Sequence, residues 1–164
     1  MAWSEIDTDA GIWVLPAARS KNAVEHQIPI TGMALDLVRS IPRRLGRDHL
    51  FSGGEAGFTG WSTNKAALDA RITAARGDAG PMPDWTLHDL RRTTATKMGD
   101  LHILPHTIEV VLNHASGFRR GVGRVYNLSA YSAEKTAALA TWGDHVRTLI
   151  EGGQRKIIPL HKRR

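Results

Sequence analysis

The spacing of hydrophobic residues changes near Thr31. Before it they come in short runs and alternations: Trp3-Ser4-Glu5-Ile6-Asp7, Ile12-Trp13-Val14-Leu15, and His26-Gln27-Ile28-Pro29-Ile30. Pieces this short, rich in β-branched and aromatic residues, predict strands, with Thr8-Asp9-Ala10-Gly11 as the turn between the first two. Pro16 to Glu25 is polar and predicts a loop, which places Lys21 near the tip of a hairpin. Together these segments predict a small antiparallel sheet.

Beyond Thr31 the spacing is helical. Thr31 caps a helix whose Met33, Leu35, Leu37, Val38 and Ile41 mostly recur three or four apart, and Pro42 ends it. Leu50-Phe51 is a brief extended piece, and a glycine-rich loop runs from Ser52 to Gly60. Ser62 or Thr63 opens a second helix reaching about Ala75, followed by a loop from Gly77 to Pro83. Thr86 caps a third helix. Its hydroxyl is set to bond the amide three residues on, and Asp89 supplies the acidic half of a capping box. Leu87, Leu90, Thr94 and Met98 form the expected buried stripe, with His88, Arg91 and Ala95 on an adjacent face. Pro105 suits the first turn of a fourth helix, whose Ile108, Val111 and Leu112 face inward. Asn113 is its C-cap, which leaves His114 just past the end. A last helix from about Ser132 to Ile150 presents Ala138, Trp142, Val146 and Leu149. The fold class expected from this order is α+β, mainly α. One domain covers residues 1–150, and a basic tail covers 151–164.

Composition narrows the class without changing the elements. With 164 residues, 41% hydrophobic and 23% charged, the chain has room for one domain with a real core. No stretch approaches the roughly 18 apolar residues of a membrane span, and the N-terminus lacks a secretory pattern, so a cytoplasmic location is expected. Absence of cysteine excludes disulfides and thiolate metal sites. A net charge of +6 favours a polyanionic partner. That charge is uneven: from His88 onward there are 13 Lys and Arg against 6 Asp and Glu. The last ten residues carry five bases and no acid, which reads as a solvated tail, or else as extra phosphate contact or docking on a neighbouring protomer.

His88 and Arg91 stand three apart at a helix start, His114 lies 23 residues beyond Arg91, and Tyr126 follows 12 residues later. Each residue alone has an ordinary reading as a surface, capping or packing side chain. Two imidazoles, a permanent cation and a phenol together suit chemistry on a phosphodiester. Arg91 offers a bidentate phosphate contact, and the amides and dipole of a helix N-terminus attract anions. A phenol with an ordinary pKa of about 10 needs neighbouring cations before it becomes a nucleophile. Tyr126 follows Phe118-Arg119-Arg120-Gly121-Val122-Gly123-Arg124, a basic approach, whereas Tyr131 is read as a packing anchor. His102 and His106 are four apart, but Pro105 lies between them and no further ligand pattern joins them, so surface or loop roles are assigned. No metal and no cofactor is expected.

The order of a lysine between strands (Ser20-Lys21-Asn22), then HDLRRT (88–93), LNHASG (112–117) and GVGRVYN (121–127) before a final helix resembles the catalytic domain of tyrosine recombinases. Within that family it is most similar to integrases of prophages and genomic islands, over roughly Trp3 to Ile150. The resemblance implies a helical DNA breaking-and-rejoining fold. It implies that Tyr126 attacks a DNA phosphate to form a 3′-phosphotyrosine, and that Arg91 stabilises the pentacoordinate transition state. His88 would assist proton transfer, His114 would bond the phosphate from the other side, and Lys21 would protonate the leaving 5′-oxygen. Arg92, Arg119, Arg120 and Arg124 become DNA contacts. Double-stranded DNA is the implied partner, with self-association into a tetrameric synapse, no membrane, and no need for ATP or metal. The family also carries a further arginine in a helix upstream of the strand that begins here at Met1-Ala2-Trp3-Ser4, and a DNA-clamping domain before that. This chain is therefore expected to be a fragment or a truncated gene product. Two other readings stay open: a non-catalytic remnant that holds DNA or a partner recombinase, and an enzyme like type IB topoisomerases.

Overall fold

The computed structural model describes residues 1–52, 57–114 and 132–152. Strands β1 (Ile6–Asp7), β2 (Ile12–Leu15) and β3 (His26–Pro29) form one antiparallel sheet in the order β1-β2-β3. Ile6 pairs with Trp13, and Trp13 in turn with Ile28. The β1–β2 turn closes on Gly11, in the left-handed region with φ +64. Its carbonyl accepts the Ile30 amide at 2.7 Å, and a Cβ there would lie 2.9 Å from the Ile30 oxygen. Only glycine permits that approach.

The first strand is shorter than the alternation of Trp3–Asp7 predicts. Trp3–Glu5 winds into a single 3-10 turn. The Glu5 carboxylate accepts the Ala2 amide at 3.1 Å and the Trp13 indole N–H at 3.0 Å, and the Trp3 amide donates to the Asp48 carbonyl at 2.7 Å. These side-chain and loop partners replace the ladder. Partial burial opposes the charge on Glu5, but hydrogen bonds from Trp13 and Ala2 and the Arg19 guanidinium hold its pKa below the ordinary value.

Five α-helices follow among the described residues: α1 (Gly32–Ser40), α2 (Trp61–Arg76), α3 (Leu87–Asp100), α4 (Pro105–Val111) and α5 (Ser132–Ile150). Their limits lie within a residue or two of the pattern. The second begins at Trp61 rather than Ser62 or Thr63, because left-handed Gly60 turns the chain one residue earlier and accepts the Asn64 side-chain amide at 2.8 Å.

The core has two parts. Ile6, Ile30, Val38 and Leu50 cluster between the sheet and α1, with Trp3, Trp13, Leu35 and Ile41 against them. Leu37, expected to face inward, is exposed. It stands two residues from Leu35, about 200° around the helix. The second part is helical: Met98 of α3, Val110 of α4 and Ala138 of α5 are all buried. α5 packs against α1, α3, α4 and β3, so the last helix is the spine that joins both parts.

Three stripes differ from expectation. On α3, Met98 is fully buried, but Leu87 and Leu90 are 42% and 54% exposed. On α4, Thr107 and Val110 are the buried positions, and Ile108, Val111 and Leu112 are half-buried. Four apolar residues crowded into positions 108–112 leave the phase of so short a helix to its neighbours. On α5 the stripe runs Lys135, Ala138, Trp142 and Val146, and Leu149 is 67% exposed. Lys135 is buried because its ammonium donates to the Gln27 carbonyl of β3 at 2.5 Å. Among the described residues no helix is long and apolar enough to cross a membrane.

Candidate functional site

α4 ends in a way that its sequence partly dictates. Asn113 takes the left-handed conformation, φ +52, one residue beyond the C-cap, which is Leu112 rather than Asn113. The Asn113 amide then donates to the Val110 carbonyl at 3.2 Å, and the His114 amide to the Glu109 carbonyl at 3.0 Å. This pair of backbone bonds is a Schellman motif, with asparagine where glycine is commonest. It leaves the carbonyls of Val111, Leu112 and Asn113 to find partners elsewhere.

Each of the three finds one, and each partner comes from a different part of the chain. Buried His26 of β3 meets the Val111 oxygen through Nε2 at 3.4 Å. Arg91 of α3 donates from Nη2 to the Leu112 oxygen. Asn22, from the loop between β2 and β3, donates from Nδ2 to the Asn113 oxygen at 3.1 Å. The negative end of a helix dipole also favours the Arg91 cation.

Lys21 reaches this place through its neighbours. Ser20 to Ala23 form a turn closed by the Ala23 amide on the Ser20 carbonyl at 3.0 Å, with Lys21 exposed at its second position. Asn113 donates from Nδ2 to the Ser20 hydroxyl at 3.4 Å, on one side of Lys21, while Asn22 grips Asn113 from the other. The turn that carries Lys21, the guanidinium of Arg91 and the backbone of His114 thus converge on residues 112–114. The His114 imidazole is part-exposed and lies 3.3 Å from the Glu109 carboxylate through Nδ1.

His88 occupies the first turn of α3, exposed, one turn before Arg91. The capping box forms, with its bonds differently arranged from those expected. Asp89 accepts the Thr86 amide at 2.9 Å and the Thr86 hydroxyl at 2.8 Å, while the Asp89 amide donates to the Thr86 carbonyl at 2.9 Å. The hydroxyl therefore serves as donor to the carboxylate, and Asp89 takes the electropositive start of α3 that an external anion was expected to use. Hydrogen bonds from the Thr86 amide and hydroxyl, with help from Arg92 and His88, hold the Asp89 carboxyl below its ordinary pKa. Arg92 is exposed and 3.5 Å from Asp89. Tyr126, Arg119, Arg120, Arg124 and Tyr131 lie outside the described residues, as does the tail from 153.

Sequence reasoning did not assign site roles to Ser20, Asn22, His26, Glu109 or Lys135, and it gave Asn113 only a backbone role. A signal existed for two of them: an asparagine adjoins the candidate residue in both Lys21-Asn22 and Asn113-His114. Chemically, the assembly offers cations and amide donors around one helix end, which suits an anion. Among the described residues no group of three or more His, Asp or Glu side chains is placed to hold a metal ion.

The family model described as the phage integrase family matches residues 1–130. The chain is 28% identical over 151 residues to prophage integrase IntA of Escherichia coli (strain K12), an overlap of 92% of this chain and 35% of IntA. It is 24% identical over 158 residues to prophage integrase IntZ of the same strain, covering 96% of this chain and 37% of that protein. The chain thus spans about a third of the length of these relatives. No solved structure matches it.

Proposed function

The chain belongs to the phage integrase family, and from that premise we propose that it carries out strand cleavage and rejoining in site-specific DNA recombination, with Tyr126 as nucleophile. The phenol oxygen of Tyr126 bonds to the scissile phosphorus as the bond from phosphorus to the 5′-oxygen breaks. A 3′-phosphotyrosine and a 5′-hydroxyl result. His88 takes up the phenol proton, and Lys21 gives a proton to the leaving 5′-oxygen. Arg91 and His114 bond the non-bridging oxygens, where charge builds in the transition state. Fixed donors aimed at developing charge are commonly the largest catalytic contribution, and a placed acid or base adds about 10²- to 10⁴-fold. Attack by a second 5′-hydroxyl on the phosphotyrosine reverses the step and rejoins the DNA.

The observation that supports this reading is the meeting of three distant segments at the end of α4. Hydrogen bonds tie the Lys21 turn and Arg91 to residues 112 and 113, next to His114. Arg92, Arg119, Arg120 and Arg124 serve as phosphate contacts in the same reading. Double-stranded DNA is the substrate, copies of the chain associate on it, and the reaction takes place in the cytoplasm.

The test is a nicked suicide DNA site incubated with the full-length gene product and resolved by denaturing electrophoresis. A covalent protein–DNA adduct is expected, and Tyr126→Phe abolishes it. Absence of adduct from the wild-type protein, with salt-sensitive DNA binding retained, would instead establish a binding module without chemistry. Relaxation of supercoiled DNA at no particular site would point to topoisomerase action.

A further inference from the structure

We infer that Asn22 and Asn113 form a clasp that holds Lys21 at the reacting phosphate, which makes both asparagines positioning residues. The inference rests on the reading of Lys21 as the acid that protonates the leaving 5′-oxygen. A lysine at an exposed turn carries a long, flexible side chain, so its reach is set by where the turn is anchored. Here the turn is anchored on both sides of Lys21. Asn22 Nδ2 lies 3.1 Å from the Asn113 carbonyl and 3.4 Å from its Oδ1, and Asn113 Nδ2 lies 3.4 Å from the Ser20 hydroxyl. Ser20 is buried, so one end of the clasp is fixed in the body of the protein.

The helix end itself is closed by the backbone. α4 is terminated by backbone bonds from the Asn113 and His114 amides, and the left-handed position that Asn113 fills is one that glycine adopts with less strain. What asparagine supplies and glycine does not is an amide that reaches the Lys21 turn. The residue that orients His114 by its backbone therefore orients Lys21 by its side chain. Two groups proposed to act on one phosphate share a single anchor.

Asn113→Gly tests this, because it preserves the helix end and the Asn22 bond to the Asn113 carbonyl while removing the side-chain bonds by which Asn113 closes the clasp. Asn22→Ala deletes it from the other side. Cleavage of an ordinary suicide site by the full-length gene product is expected to slow about ten- to a hundredfold in both variants, the scale on which small misplacements act. The decisive readout is a second substrate in which sulfur replaces the bridging 5′-oxygen. A thiol, with a pKa near 8.5 in the cysteine side chain, leaves as its anion and needs no acid. On that substrate both variants are expected to recover wild-type rates, as Lys21→Ala does. Equal losses on the two substrates, or no loss on the first, would overturn the clasp as a positioning device. If the wild-type protein forms no adduct at all, the recombinase reading itself is wrong, and with it any catalytic purpose for the clasp. Hydrogen exchange supplies a measure independent of activity: the amides of residues 20–23 are expected to exchange faster in Asn113→Gly while the melting temperature holds or rises. Unchanged exchange at those amides would equally overturn the inference.

Discussion

The guanidinium of Arg91 has one partner in the fold and a second in the proposed reaction. Its Nη2 is given to the Leu112 carbonyl, and a guanidinium has four further N–H donors for a phosphate. The side chain is half-buried, and the carbonyl it satisfies sits at a helix end with no intrahelical partner. Arg91→Ala should therefore register in two independent measurements. Urea denaturation is expected to show a loss of about 1–3 kcal/mol, the cost of stranding a polar group. Adduct formation is expected to fall by about 10²- to 10³-fold, as when a transition-state donor is removed. A stability loss with undiminished cleavage would make Arg91 a purely structural residue. The proposed phosphate contact of Arg91 was argued from its place in HDLRRT. That Arg91 also braces α4 was not legible there, because the carbonyl it meets lies 21 positions away.

At the scale of elements, α3 was the most legible helix and also the one whose exposure was most misjudged. Its start is encoded locally: Thr86 and Asp89 are three residues apart and find one another without help from the rest of the chain. The charge of Asp89 matters for the cap, and its pKa in the folded chain lies below the unfolded value of 3.8. The stabilisation it contributes is therefore complete above about pH 3.8 and is lost as the pH falls through the lower, folded value. The gap in melting temperature between wild type and Asp89→Asn is expected to be widest near neutrality and to close below pH 3.8. A gap that persists into acid would show that the carboxylate charge is not what the cap uses. The Leu87 and Leu90 stripe was misjudged because periodicity reports only that residues share a face. Whether the face is covered depends on how the rest of the chain packs against it. The same holds for α5, where a lysine occupies a buried position of the stripe because the Gln27 carbonyl awaits it.

The whole molecule is organised around α5 and the small helical core it completes. Among the described residues Met98 is the largest side chain with no exposure, on the helix that packs against both α4 and α5. Met98→Ala is expected to cost about 2–5 kcal/mol by thermal or urea unfolding, through lost burial and the cavity left behind. A cost below about 1 kcal/mol would mean that the helices collapse into the space and pack less specifically than they do here. Sequence alone determined the order of elements, the antiparallel sheet, the capped start of α3 and the family, because each is written in spacings of two to four residues or in the identity of a side chain. Tertiary structure decided which face of α4 is buried, why Lys135 lies inside, and that three bare carbonyls at one helix end collect His26, Arg91 and Asn22. Several of those contacts join residues 85 to 108 positions apart. No local pattern encodes them, since each depends on an unsatisfied polar group finding its partner only after the sheet and helices have packed.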